Sequence, residues 1–171
     1  MNEPTVLPDL DCVGDEHAML AAFLDYYRAV FVRKVEDLTD DQVRRRMPPS
    51  GLDLLGMTRH LADVERWWFR AVFTAEVTTG SYESADDPDL DWHHGPADTI
   101  AEALDVWRAE VDRSREIIAT STDLDAIGAD TTGSRGEISL RWIMIHMVEE
   151  YARHVGHADF LRENIDGTTG D

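Results

Sequence analysis

In four long stretches of this chain apolar residues return every three or four positions, and nowhere does the sequence hold the two-residue alternation of a half-buried strand. A helix with one apolar stripe must bury that stripe against another element. Four such stretches therefore predict an all-α fold, a four-helix bundle whose core lies where the stripes meet. Ala18, Met19, Ala22, Phe23, Tyr26, Val30 and Val35 predict a first helix over 15–36, after an extended lead-in over 1–14 carrying Pro4, Pro8, Asp9 and Asp11. Thr39 and Gln42 suit a capping box for a short connecting helix, which must stop before Pro48-Pro49 because a proline ring disfavours helical backbone in the residue before it. Leu54, Leu55, Met57, Leu61, Val64, Trp67, Trp68 and Val72 predict a second helix over 53–75, broken by Thr78-Thr79-Gly80. Ile100, Leu104, Trp107, Val111, Ile117 and Ile118 predict a third over 98–120. The fourth and longest runs over 140–165 through Trp142, Ile143, Ile145, Met147, Val148, Phe160 and Leu161, with Gly167 as its stop. The connections over 76–96 and 122–137 are polar and longer than usual bundle loops, as a crossover or a cover over one end of a site would be.

At 171 residues the chain is read as one domain, 1–171, large enough to bury a core without disulfides. Its formal net charge of −19 repels phosphate backbones and anionic bilayers, so the expectation is no nucleic acid and no membrane partner. Cys12 is the only cysteine, which excludes an intramolecular disulfide or a cysteine metal cluster and suggests a reducing, cytoplasmic setting. No basic stretch followed by an apolar run opens the sequence, and no segment approaches 18 uninterrupted apolar residues, so neither a signal peptide nor a membrane span is predicted.

The histidines carry the chemistry. His146, His154 and His157 fall on the fourth helix and His60 in the middle of the second, while His17, His93 and His94 lie outside both. Residues four apart on a helix stand about 40° apart in azimuth and about 6 Å along the axis, so Glu150 and His154 can chelate one ion. His146 and His154 cannot both join that ion, because eight residues separate them by a rise of about 12 Å. A third ligand must come from another helix, and His60, bracketed by apolar residues, is the obvious donor. A set of His60, Glu150 and His154 suits zinc, nickel or ferrous iron and leaves coordination positions open. Taken singly, however, a mid-helix histidine is more often a satisfied core or boundary residue, and that is the reading for His146 and His157, with His157 as a neighbour that orients the site. His93 and His94 are expected to be solvated, and Trp67, Trp68, Trp107 and Trp142 to be core and pocket wall. No histidine has a Glu three residues before it, which disfavours a ferritin-like di-metal centre, and no phosphate loop or nucleophile elbow is present.

Two blocks, Ser50 to Phe69 around Met57-Thr-Arg-His60 and Ser139 to Gly167 around His146-Met-Val-Glu-Glu150-Tyr-Ala-Arg-His154-Val-Gly-His157, together with Leu20 to Arg28, resemble the DinB-like superfamily. The resemblance covers most of the chain and implies an up-down-down-up four-helix bundle binding one metal through a histidine of the second helix and two residues four apart on the last. The matching positions are His60, Glu150 and His154. Many relatives have His as the first of the last pair. Glu150 in its place resembles the branch of mycothiol-dependent maleylpyruvate isomerase, and the chain as a whole is similar to families of bacillithiol and mycothiol transferases. That likeness implies a small-molecule thiol such as mycothiol as co-substrate, an electrophile as the second substrate, and one divalent cation, zinc first. The alternatives left open are a metal-dependent hydrolase and a non-catalytic metal-binding or stress-response module acting through association, for instance as a homodimer. Arg59, Arg153 and Arg162 are candidates to anchor substrate carboxylates.

Overall fold

The computed structural model describes residues 5–76, 80–82, 84, 86–87, 89–130 and 136–170. The chain begins with a long helix α1 (Glu16–Val35), then a single turn α2 (Asp40–Val43). Helix α3 (Leu54–Glu65) continues without a break into a π-helical segment, Arg66–Phe73. Two further long helices follow, α4 (Ile100–Thr120) and α5 (Leu140–Asp166). Each α-helix starts on a residue whose side chain accepts a backbone N–H of the first turn: Asp15, Thr39, Asp53, Thr99 and Ser139. These caps satisfy donors that a helix end otherwise leaves orphaned. Thr39 and Gln42 close the capping box reciprocally, and Gly167, in the left-handed region at φ 80°, ends α5. Among the described residues the only β pairing is an isolated bridge between Ile127 and Ser139. The Thr78-Thr79 break and residues 131–135 of the second long connection lie outside the described residues.

Cross-helix pairs give the topology. Glu16 pairs with Arg141 and Lys34 with Asp159, so α1 and α5 run in the same direction. Arg59 pairs with Asp98 and Arg66 and Arg70 with Glu110, so α3 and α4 also run together. His60 meets Glu150 while Trp68 meets Trp142, which sets α3 antiparallel to α5. The order is up, down, down, up, and a parallel α3 and α4 require the connection between them to travel back along the bundle. That requirement is the physical reason for the long crossover before Ile100. The apolar stripes meet in one core containing Leu24, Phe31, Leu54, Leu55, Met57, Leu61, Phe69, Trp107, Leu140, Ile143, Met144 and Met147, all nearly inaccessible to solvent.

The predicted second helix departs from expectation at its end. From Arg66 the backbone widens to a π-helix, closing with Thr74 N–H on Phe69 O at 3.2 Å, so residue directions drift from the 3.6-residue period. Trp67, expected in the core, is 51% exposed, since two residues beyond the buried Glu65 it stands about 200° around the helix, on the face away from the core. The wide segment is tied down from outside: Glu110 accepts from Arg66 and Arg70, and Glu76 from Arg70 and Arg113. Its last carbonyls are taken by the second long connection, where Ala129 N–H and Asp130 N–H donate to Phe73 O and Val72 O. A Cβ on Gly128 would stand 2.8 Å from Val72 O, so that approach is available only to glycine.

One network crosses the bundle centre. Arg28 of α1 donates through Nε and Nη2 to both carboxylate oxygens of Glu65 on α3, at 2.8 and 2.7 Å. Tyr151 Oη of α5 donates to Glu65 Oε1, and Trp107 Nε1 of α4 donates to Tyr151 Oη, each at 2.8 Å. All four long helices thus share one buried polar chain, which a charge must have if it is to be held out of water. Among the described residues no helix is long and apolar enough to cross a membrane.

Candidate metal centre

One turn from that network, the α3–α5 seam brings together His60, Glu150 and His154. Glu150 Oε1 lies 3.3 Å from His60 Nε2 and 3.1 Å from His154 Nε2, and one donor atom from each of the three residues lies within 4.8 Å of the others. The His60 and His154 rings meet edge to face with centroids 5.0 Å apart. Ligand atoms about 2.0–2.2 Å from a tetrahedral ion stand roughly 3.4 Å from one another, so this spacing suits a single cation. The donor chemistry fits as well: two imidazoles and a carboxylate form a mixed nitrogen and oxygen set of the kind zinc accepts in sites that keep a position open.

The electrostatics show what holds the three groups together. Burial opposes a charged His60, but hydrogen bonds and attraction to Asp91 and Glu150 outweigh it and push its pKa up to about 9. Hydrogen bonds from His154 and His60, acting against desolvation, hold the Glu150 carboxyl far below the usual carboxylate range. Glu150 is therefore ionised and clamped between two imidazoles, a position in which a cation can replace the shared protons.

The crossover supplies the rest of the wall. Asp91 Oδ2 accepts from His60 Nδ1 at 2.7 Å, and the Trp92 ring lies over His60 and His154 at centroid distances of 5.0 and 6.2 Å. Trp92 reaches this position because α3 has no side chain at Gly56, where a Cβ would stand 2.9 Å from the indole. His157 stacks edgewise on His154 at 5.5 Å, with its Nδ1 buried and without a hydrogen-bond partner among the described residues. Burial, then the nearby His154 and Arg153, lowers its pKa.

Other candidates fall elsewhere. His146 packs between Trp68 and Trp142, at 4.8 and 5.0 Å, and its ring faces Glu149. His93 is exposed and pairs with Asp87. His94, expected to be solvated, is instead almost fully buried and bonded to Asp53 and Arg44, because the crossover folds back onto the start of α3. Arg59 is buried and spent on Asp98 and Leu90 O, and Arg162 donates to the last carbonyls of the α1 end and to Asp166. Only Arg153 of the three arginines stands at the edge of the centre, half exposed and paired with Glu149 and Glu150. Asp91 and Trp92 escaped the sequence reading; a tryptophan next to an aspartate and two histidines, in a connection rich in Ser, Gly, Pro and acidic residues, is the signal that points to them.

Glu149 and Glu150 are adjacent in sequence but about 100° apart around α5. Glu149 is half exposed and held by Arg153. Glu150→Gln is expected to weaken zinc binding on the order of a hundredfold, His157→Ala about tenfold or less, and Glu149→Gln to leave it within about twofold, all read by competition titration. Wild-type affinity in Glu150→Gln with a large loss in His157→Ala would move the centre one turn toward the C-terminus.

No match is found among curated proteins. A solved structure, described as a conserved protein from Enterococcus faecalis, superposes with a TM-score of 0.61 at 12% identity, covering 91% of this chain and 100% of that one, a likeness of fold. A family model described as mycothiol-S-transferase matches residues 19–167, which takes in the four long helices, all but the first turn of α1, and the three converging side chains. The chain belongs to the mycothiol-S-transferase family, one of the DinB-like families.

Proposed function

We propose that the protein is a metal-dependent transferase that joins a low-molecular-weight thiol of the mycothiol type to an electrophile, with His60, Glu150 and His154 holding one divalent cation, zinc in the first place. The observation that carries this reading is the convergence of two imidazole nitrogens on one buried, ionised carboxylate, in a chain of this family. A cation bound there supplies a Lewis-acidic centre that keeps a thiol as thiolate at neutral pH.

The chain's own residues do the remaining work. Glu150 contributes the one negative charge among the three donors, so cation and thiolate together are closer to neutral than with three imidazoles. Trp92 closes one side of the centre against water, which strengthens every electrostatic interaction inside it. Arg153 keeps Glu150 oriented from the open side through Oε2 at 3.3 Å, leaving Oε1 for the centre. The single cysteine, Cys12, is exposed in the lead-in and is not among the side chains that converge on the centre, so the nucleophilic sulfur belongs to the co-substrate.

Cobalt substitution tests this. Mycothiol added to the cobalt protein should raise a sulfur-to-metal charge-transfer band in the near ultraviolet, and Glu150→Gln should remove it. Cobalt binding without any such band at millimolar thiol would favour a hydrolase or a non-catalytic metal-binding module instead.

A further inference from the structure

The crossover does more than pass over the centre, since consecutive residues of α3 grip consecutive residues of it. Arg59 Nη2 donates to Leu90 O at 2.6 Å, and His60 Nδ1 bonds to Asp91 Oδ2 at 2.7 Å. The same arginine reaches Asp98 Oδ2 with Nη1 at 2.7 Å and lies over the Tyr82 ring at 4.3 Å. At the far end, His94 Nε2 bonds to the Asp53 carboxylate at 2.9 Å and its Nδ1 to Arg44 Nη1 at 2.9 Å. Arg44 also donates to Gly95 O at 2.9 Å and to Asp98 O. Gly95 N–H closes the turn on Asp98 Oδ2 at 2.6 Å. Asp53 is in turn the N-cap of α3, so the helix that carries His60 and the segment that carries Asp91 are fastened at one buried joint.

We infer that residues 89–98 form a strap that sets His60 as a metal ligand, with Asp91 as the positioning residue and Arg59 and His94 as the anchors that hold Asp91 in place. The inference rests on the metal reading above. An imidazole has two nitrogens, and only the one without a proton can bind a cation. With Asp91 accepting from Nδ1–H, the lone pair is left on Nε2, the nitrogen that faces Glu150 and His154. A carboxylate in this place fixes the tautomer and ring orientation and makes the ligand more basic. Trp92, seated over Gly56 and against both rings, removes the remaining freedom of ring rotation.

Zinc affinities of wild type and variants, by competition with a chromophoric chelator, test the strap, with folding of each protein confirmed by cooperative thermal unfolding. Asp91→Ala should weaken zinc about 10–100-fold and alter the visible ligand-field bands of the cobalt protein, and Asp91→Asn, which keeps an acceptor but not the charge, should recover part of the loss. Arg59→Gln and, farther from the metal, His94→Gln should each weaken zinc several-fold in the presence of Asp91 and have no further effect in the Asp91→Ala background, because they act through that carboxylate. Should Arg59→Gln fail to fold, His94→Gln carries the comparison. Wild-type zinc affinity in Asp91→Ala, or anchor effects of equal size in both backgrounds, would overturn the strap while leaving the metal centre standing. A wild-type protein that binds no zinc would overturn the centre and the strap together.

Discussion

Purified from zinc-supplemented medium, the wild-type chain is expected to carry about one equivalent of metal, and His60→Ala or His154→Ala less than about a tenth of that by elemental analysis. The size of the effect follows from the ligand count. With three protein donors, removing one leaves two, and the two that remain after His60→Ala sit on a single helix turn with no partner across the seam. Chelation of the wild type should lower its melting temperature, since a ligand present at a hundred times its Kd stabilises the fold by about 2.7 kcal/mol, or roughly 5–10 °C for a chain of this length. The metal-free protein should still unfold cooperatively, because the core of Leu, Ile, Val, Met and Trp side chains and the buried Arg28–Glu65 pair owe nothing to a cation. Full metal retention by both alanine variants would exclude the centre, and complete unfolding on chelation would contradict a fold built on its own core.

The reach of the sequence is uneven for physical reasons. Helix positions were legible because periodicity and caps are local: the first helix, expected over 15–36, spans Glu16–Val35, and the third, expected over 98–120, spans Ile100–Thr120. The Thr39–Gln42 box and the Gly167 stop stand where four-residue chemistry puts them. The π segment was not legible, since most of what ties it down, Glu110, Arg113 through Glu76 and the Gly128 connection, is distant in sequence from Arg66–Phe73. Trp67 points outward for a separate reason, standing about 200° around the helix from the buried Glu65.

The same distinction divides the centre. Glu150 and His154 are related by one helix turn, which sequence spacing states directly. His60 could be paired with them because it is the one histidine inside the apolar pattern of its helix, and the family resemblance places a ligand at its position. Asp91, Trp92 and His94 owe their places to the crossover's return path along α3, a tertiary consequence of two neighbouring helices running parallel. No local rule relates Asp91 to a histidine 31 residues earlier. The crossover's length was the visible sign, and its polar composition concealed which of its residues turn inward.

Arg28→Met should be the most damaging single change to stability outside the apolar core. It leaves Glu65, whose side chain is fully inaccessible, without the two hydrogen bonds that compensate its charge. Removing one partner of a buried pair costs about 3–5 kcal/mol, which for a chain of this size lowers the melting temperature by roughly 6–20 °C. Replacing both partners, as Arg28→Met with Glu65→Leu, removes the stranded charge and should recover a large part of that loss, since a buried pair exchanged for apolar side chains of similar volume is often neutral. Recovery should stop short of wild type, because Tyr151 Oη then lacks its acceptor, a deficit of about 1–3 kcal/mol. Adding Tyr151→Phe moves the deficit to Trp107 Nε1, which donates to that hydroxyl, so each step toward an apolar centre strands the next donor in the chain. Thermal unfolding of the single, double and triple variants therefore reads the network in order. A melting temperature for Arg28→Met within about 2 °C of wild type would mean that water or a rearranged side chain reaches Glu65 and that α1, α3, α4 and α5 are not joined through it.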